Sequence, residues 1–320
     1  GKPRWTAYTG GAVQYPPTIA NDGAYVGSGD GWVYCFEAAT GRQLWRFRAA
    51  PVERKMPVYG RLLSTWPVAS GVLVENGVAY AAAGIVSHDG THVYALDAAT
   101  GKIKWQNNTS GNLMSEGVVA GVSVQGHLLL NDGKLYLAGG NVVSPAVYDL
   151  RDGRCLNTLT NEWQKGPRGS ELFHAAGEVR VVDKMMYSPR DYIPSRYFAK
   201  YLVQASSGDL LIQGTEHEMM RVDLKPGPDG KPTVIWKDSR FIETSGVVLG
   251  RNAVLIIGRV EGRTKEAEPV NVLLALNPQD GSTLWAAPLP AAPKTWGLAV
   301  DRDGRIIVTL VDGRVLCYAG

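Results

Sequence analysis

The residues able to do chemistry are few and scattered. The five histidines are His88, His92, His127, His174 and His217. His217 lies between Glu216 and Glu218, residue types that suit a zinc ligand set. In a strand, however, neighbours alternate faces, so the two carboxylates share one side and the imidazole takes the other. No metal site is expected there. Asp301–Gly304 opens like a calcium loop but lacks the following ligands and the closing glutamate, and reads as a hairpin turn. Cys35, Cys155 and Cys317 form no C-x-x-C, C-x-x-C-H or adjacent pair, which excludes a thioredoxin-like motif, attached haem and a cysteine zinc site. Cys35 and Cys317 sit in apolar runs and are expected to be free, buried thiols. No G-x-S-x-G elbow occurs. Gly27–Gly31 joins two strand-like segments, so no helix N-terminus follows it to hold a phosphate.

What remains is a series of polar and aromatic residues between apolar runs: Arg61 and Trp66, Gln125 and His127, Arg168 and Glu171, Glu243 and Thr244, Lys294 and Trp296. Arg beside Trp suits an anionic ligand with an apolar side, because the guanidinium fork binds a carboxylate while the indole covers a ring. Two connections are longer than the usual roughly two to six residues. One is 52–63, with Glu53, Arg54, Lys55, Tyr59 and Arg61; the other is 187–201, with Arg190, Asp191, Tyr192, Arg196, Tyr197 and Lys200. The candidate ligand-binding residues are Arg61, Trp66, Arg168, Glu171, Arg196 and Trp296.

Positioning such residues together falls to an internal repeat. Tyr25–Trp45 reads as strand, turn, strand, Ala-Thr-Gly turn, then a strand ending in Trp, and 78–105 repeats it. A copy at 134–156 lacks the Trp, and another runs 254–285. The turn residues Gly41, Gly101, Gly153 and Gly281 each follow Thr or Asp, where a tight hairpin requires positive φ. Inner runs such as Val33–Phe36 are apolar on both faces, so these sheets are covered on both sides. Small antiparallel sheets, repeated and stacked, make an all-β propeller. Copy spacing predicts seven four-stranded blades, with six or eight still compatible with 164–240. In that region Glu171–Val182, Phe198–Gln204, Asp209–Gln213, Met219–Leu224 and Val234–Trp236 are expected strands. Laid end to end, Asp312–Gly320 and Gly1–Trp5 recreate Asp30–Trp45 short of a few turn residues. The whole chain, 1–320, is therefore expected to be one propeller domain, closed by pairing of 1–10 with 305–320.

Composition limits the function classes. With 45% hydrophobic and 20% charged residues the chain is globular, and its net charge of +3 gives no basic face for nucleic acid. No run of about 18 apolar residues occurs to span a membrane. The start Gly1-Lys-Pro-Arg-Trp5 contains no export signal.

The apolar strand followed by Asp/Glu-Ala-Ala-Thr-Gly-x-x-x-Trp resembles the quinoprotein-type, or PQQ-like, β-propeller repeat. So do the runs Gly29–Cys35, Leu44–Pro51 and Ser64–Pro67, which resemble propellers inside large multi-domain bacterial proteins. The resemblance implies an extracytoplasmic setting and a monomeric domain of a longer exported chain. It does not imply a reaction. Quinoprotein alcohol dehydrogenases in that family carry adjacent cysteines, a stacking Trp and a calcium site; the adjacent cysteines are missing and no calcium ligand set matches. Neither PQQ nor calcium is therefore expected. The function expected is a non-catalytic ligand-binding or protein-interaction module, with an anionic glycan or acidic peptide at the funnel mouth. A polysaccharide lyase or hydrolase is the second reading, using His174, Arg168, Glu171, Tyr192 and Arg196 as base, charge neutralisers and acid.

Overall fold

Four tight turns set the local structure. Gly41, Gly101, Gly153 and Gly281 hold φ of +76°, +70°, +73° and +74°, the left-handed backbone that a β-carbon opposes. In the Asp97–Gly101 turn, Asp97 Oδ1 accepts from both the Thr100 amide (2.9 Å) and its hydroxyl (2.8 Å). Asp and Thr thus satisfy the backbone that the turn frees.

The computed structural model describes residues 2–58, 60–115, 117–124, 126–140, 142–159, 171–175, 178–182, 201–205, 211–215, 217–226, 232–262 and 268–319. Among them there is one 3-10 turn, Ser87–Asp89, and no α-helix. The first sheet joins β1 (Thr18–Ala20), β2 (Gly23–Gly27), β3 (Trp32–Glu37) and β4 (Gln43–Arg48) in sequence order, all antiparallel. A hairpin follows, β5 (Lys55–Val58) with β6 (Arg61–Ser64). The second four-stranded sheet is β7 (Val72–Glu75), β8 (Val78–Ala83), β9 (His92–Asp97) and β10 (Ile103–Asn107). A second hairpin, β11 (Leu113–Ser115) with β12 (Val118–Ala120), precedes a three-stranded sheet of β13 (Leu128–Asn131), β14 (Lys134–Leu137) and β15 (Ala146–Asp149). The strands β16 (Glu171–Ala175) and β17 (Glu178–Val182) pair next. Two further four-stranded sheets follow. One is β18 (Tyr201–Gln204), β19 (Leu211–Gly214), β20 (Met219–Pro226) and β21 (Pro232–Asp238). The other is β22 (Phe241–Leu249), β23 (Val254–Val260), β24 (Val270–Leu276) and β25 (Thr283–Pro288). The last sheet is β26 (Pro293–Val300), β27 (Ile306–Leu310) and β28 (Val315–Tyr318). This is the all-β, repeated-sheet architecture of a propeller. Of the strands expected in 164–240, Glu171–Val182 contains the two strands β16 and β17, and the others overlap β18 to β21, with 198–200 and 209–210 outside the described residues.

The chain forms two compact units. The first comprises Gly1–Leu172 with Val179–Ile193, the second Phe173–Glu178 with Pro194–Gly320. Within each, sheets bury both faces. On β23, Val254 and Ile256 pack with Tyr201, Ile212 and Trp236 of one neighbouring sheet. Leu255 and Ile257, pointing the other way, pack with Leu298, Val308 and Leu310 of the next. In the first unit β8 does the same with smaller residues, Ala79, Ala81 and Ala83 against Val33 and Cys35, and Tyr80 and Ala82 against Leu135 and Tyr148.

One contact recurs between successive sheets. Trp45 donates its indole N–H to the Ala98 carbonyl (3.0 Å), Trp105 to Leu150 (2.8 Å) and Trp236 to Pro278 (3.0 Å). Each acceptor lies three residues before a turn glycine, and each indole lies flat against that glycine: a β-carbon at Gly101 or Gly281 would fall 2.8 Å from Trp45 or Trp236. Trp5 follows the rule, donating to Ala38 (2.9 Å) and covering Gly41.

Residues 2–8, in the first unit, form no strand. Pro3 lacks the amide that a ladder needs and fixes φ, so Trp5 docks through its side chain alone. Cys317 is exposed, not buried, because β28 alternates exposed and half-buried residues as a strand with one open face does. Cys35 is buried and Cys155 half-buried, and all three are free thiols.

The docking contact is testable by a matched pair. Gly101 and Gly77 share positive φ (+70° and +74°), but a β-carbon at Gly77 meets nothing within 4 Å. Gly77→Ala should cost about 1–2 kcal/mol, the left-handed penalty alone. Gly101→Ala should cost about 1–3 kcal/mol more, from overpacking against Trp45. Urea denaturation of the two variants measures the difference, and equal losses would remove the indole from the account.

Candidate functional site

The six candidate residues fall in different places. Arg61, Trp66 and Glu171 belong to the first unit and Trp296 to the second. Arg168 and Arg196 lie outside the described residues, as does Tyr192 of the alternative catalytic set.

The long 52–63 connection is largely the β5–β6 hairpin, turning at Gly60 with φ +75°. Arg61 stands exposed at the start of β6, followed by Leu62 at 67% exposure. The foot of the hairpin is fixed by Arg54. Its Nε donates to Thr65 Oγ1 (3.0 Å), its Nη2 to Asp89 Oδ1 (2.7 Å), and its guanidinium carbon lies 4.6 Å above the Trp66 ring. Trp66 in turn donates Nε1–H to the Asp89 carbonyl (2.6 Å) and meets His92 edge-on. Trp66 is only 6% exposed. Its face is therefore covered by Arg54 and holds up the hairpin, where the sequence reading had it open to a ligand.

The β11–β12 hairpin is rooted on the same connection between β8 and β9. Gly111 approaches so closely that a β-carbon there would lie 2.7 Å from the Thr91 amide and 2.9 Å from the Ser87 carbonyl. Met114, in the middle of β11 and opposite Val119, is 72% exposed. Both hairpins thus stand on residues 87–91, carrying exposed Leu62 and Met114 with Arg61 and Lys55.

Glu171 is engaged elsewhere. Its Oε2 lies 3.1 Å from His127 Nδ1, and His127 Nε2 lies 2.8 Å from the Leu172 carbonyl. Burial lowers the imidazole pKa, but the Glu171 carboxylate and then the Leu172 carbonyl outweigh it and hold the group above its ordinary 6.5. In the imidazolium form both N–H groups donate. Nearby, burial and then the Glu171 charge push the Tyr15 hydroxyl up to about 12. A carboxylate tied this way is a poor general acid, and His174, the expected base, is exposed on β16. His217 lies in a turn and Glu218 pairs with Lys237 (2.8 Å). Among the described residues no three His, Cys, Asp or Glu side chains gather to hold a metal. The Asp301–Gly304 segment is a hairpin turn, with Asp301 Oδ1 accepting from the Asp303 and Arg305 amides.

In the second unit Trp296 has φ +58°. It sits where pairing of β26 with β27 jumps from Pro293↔Leu310 to Leu298↔Val308. A bulky residue there costs about 1–3 kcal/mol. Its ring meets Tyr201 edge-on (4.7 Å, 77°) and Phe173 at a tilt (6.0 Å), and it remains 36% exposed. Tyr201, fully buried, donates its hydroxyl to the Thr244 carbonyl (3.0 Å). Sequence reasoning named Trp296 but missed its backbone, and it missed the partnership of Arg54 with Asp89, 35 residues apart.

The family model described as outer membrane protein assembly factor BamB matches residues 1–184, more than half of the chain. Among solved structures, BamB from Moraxella catarrhalis aligns over 99% of this chain and 75% of its own, at 16% identity and a TM-score of 0.48. The quinohemoprotein alcohol dehydrogenase from Comamonas testosteroni aligns over 93% of this chain at 14% identity and a TM-score of 0.54; the chain spans 65% of that protein's length. The likeness to the quinohemoprotein alcohol dehydrogenase is one of fold alone, which fixes no chemistry. No curated protein matches the sequence. No helix among the described residues is long and apolar enough to cross a membrane.

The His127–Glu171 pair carries a pH signature. A raised folded-state pKa gives stability that is full below the unfolded value and lost as pH rises through the folded one. The melting temperature of the wild type should therefore fall relative to Glu171→Gln as pH rises from below the ordinary imidazole value of 6.5 through the raised folded-state pKa. Parallel melting profiles for the two proteins would show that the pair does not titrate with folding.

Proposed function

The chain belongs to the family described as outer membrane protein assembly factor BamB, a family of PQQ-repeat propellers, and from that premise we propose that it is a non-catalytic protein-interaction module. In this reading it is an extracytoplasmic, monomeric domain of a larger exported protein. In this reading the chain has seven blades. The seven sheets that begin at β1, β7, β13, β16, β18, β22 and β26 support that count.

The observation that carries the reading is the pair of extra hairpins. They belong to none of the repeated sheets, yet both are anchored on residues 87–91, and their strands expose Leu62 and Met114. Exposed apolar side chains on an ordered support are what a protein partner buries, with aliphatic anchors at the centre and charge around them. Lys55 and Arg61 are exposed on β5–β6, which favours a partner segment that is acidic as well as apolar. The family's name concerns outer membrane protein assembly, and an assembly factor works by such contacts. The acidic-peptide partner expected from the sequence is kept, moved from Trp66 to the two hairpins.

A photo-crosslinking amino acid at position 62 or 114 tests this in the cell of origin. Both positions should trap one protein of the same mass, and Lys102 on the outer strand side should trap none. Combining Leu62→Asp with Arg61→Glu should weaken association by at least about tenfold. Equal trapping from position 102, or none from 62 and 114, would overturn the hairpins as the contact surface.

A further inference from the structure

We propose that the cavity between the β7–β10 and β13–β15 sheets of the first unit binds an organic cation, an ammonium or guanidinium group carried on an apolar stem. Neither hairpin contributes to this cavity, so the inference is independent of the function proposed above.

The repeat shows where one hydroxyl is left over. Tyr25 on β2 and Tyr80 on β8 hold the same place in successive sheets. Tyr25 pairs with Cys35, which pairs with Trp45, and Tyr80 pairs with Ala95, which pairs with Trp105. The two Tyr–Trp ring distances agree, at 5.9 and 6.0 Å. Tyr25 donates its hydroxyl to the Ala98 carbonyl in the turn of the next sheet (3.1 Å). The counterpart of that carbonyl for Tyr80 is Leu150, which accepts from Trp105 alone (2.8 Å). Tyr80 is 7% exposed, yet its hydroxyl has no hydrogen-bond partner among the described residues. A phenol buried so deeply is almost always bonded. The cavity lies on the side where Tyr25 finds its acceptor, and Tyr80 and Leu150 both line it.

The rest of the lining selects the ligand. The cavity has a volume of about 300 Å³ and is walled by Tyr80, Leu130 and Leu150, by Glu75 at the end of β7, and by Asn131 and Asp132 where β13 turns into β14. Glu75 and Asp132 bring two negative charges, and the lining contains no Lys, Arg or His. An anion is repelled there and a cation attracted. A bare metal ion fits poorly, because it wants about six to eight oxygens at close range. The volume is about ten times that of one water, and half of these walls are apolar. An alkyl ammonium or guanidinium suits both halves. Its stem lies on Leu130 and Leu150, and its N–H groups donate to the two carboxylates, the Asn131 amide oxygen and the Tyr80 oxygen. Burial and then the Glu75 charge raise the Tyr80 pKa, so the phenol stays neutral and its lone pairs accept.

Calorimetric titration of the full chain with agmatine, cadaverine and N-acetylarginine amide tests the site, with pentane-1,5-diol as the uncharged control. At least one cation should bind in the micromolar-to-millimolar range, and the diol should not. Tightest binding of the blocked arginine would assign the ligand as a basic side chain of a polypeptide, and tightest binding of either amine as a free small molecule. Glu75→Gln combined with Asp132→Asn should weaken binding by about tenfold or more. Asn suits the left-handed backbone of Asp132 (φ +46°), so the fold is kept. Tyr80→Phe should weaken binding about three- to tenfold with no fall in melting temperature, since it removes no hydrogen bond within the protein. Tyr25→Phe, which loses the bond to Ala98, should melt about 1–3 °C lower. The proposal falls if no cation binds, if the diol or calcium chloride binds where the cations do not, or if the Glu75/Asp132 and Tyr80 variants bind as the wild type does.

Discussion

The contact on which the structure depends is an indole laid on a turn glycine of the next sheet. It imposes several demands at once. The turn must contain a residue at positive φ, that residue must lack a β-carbon, and a carbonyl three positions earlier must be left over for the indole N–H. The Ala-Thr-Gly turn meets all three, because Thr100 caps Asp97 and leaves the Ala98 carbonyl to Trp45. The same carbonyl also accepts from Tyr25 at 3.1 Å, so the outer and inner parts of one sheet are referred to a single atom of its neighbour. A hydrogen bond of this kind contributes about 1 kcal/mol and burial of the indole considerably more. Trp5 shows that the docking does not depend on the strand ladder, since it seats correctly from a segment that forms no strand.

A frame set by the strands and these contacts leaves the connections free to differ. The connections after β4 and β10 grow into hairpins, and each is held by one local device. Arg54 is the stronger device. Exposed ion pairs are worth little on their own, and Arg42–Glu37 or Arg305–Asp301 are of that kind. Arg54 adds a stacked ring and a second hydrogen bond, so one guanidinium joins the hairpin to Trp66, Thr65 and Asp89. Gly111 achieves the same for the second hairpin by backbone approach alone. What these connections present is therefore held on the same support as the sheets.

The sequence displayed the frame because its signals are local and repeated. Turn glycines, two-faced apolar strands and the Trp at a constant offset all lie within about twenty residues of one another, and the strands of 201–238 were legible from composition alone. The parts that were not legible depend on pairings distant in sequence. Nothing near Trp66 announces that Arg54 covers it or that Asp89 completes the arrangement. His127 and Glu171 were each visible as polar residues at crossings, but their pairing across 44 positions emerges only from the fold. In the sequence 52–63 shows only as a long connection; that it folds into a hairpin with Pro57 opposite Leu62 appears only in the fold. Cys317 was misjudged because an apolar run looks buried whether or not a further strand covers it.

Positive φ separates the ordinary departures from the informative one. Among the described residues other than glycine, those in the left-handed region are Asn21, Asp22, Asn76, Asp132 and Trp296. Four are Asn or Asp in tight turns, each close ahead of a glycine, where a short polar side chain bonds to its own backbone and the conformation costs little. They belong to the same turn chemistry that builds the sheets. Trp296 shares none of it: it is β-region by propensity and interrupts a ladder instead of closing a hairpin. Its conformation is held by the packing of the bulge, where Gly297 lies against Thr309 and Gly246 passes close to the Trp296 backbone, so the strain there is carried by tertiary contacts and not by turn chemistry.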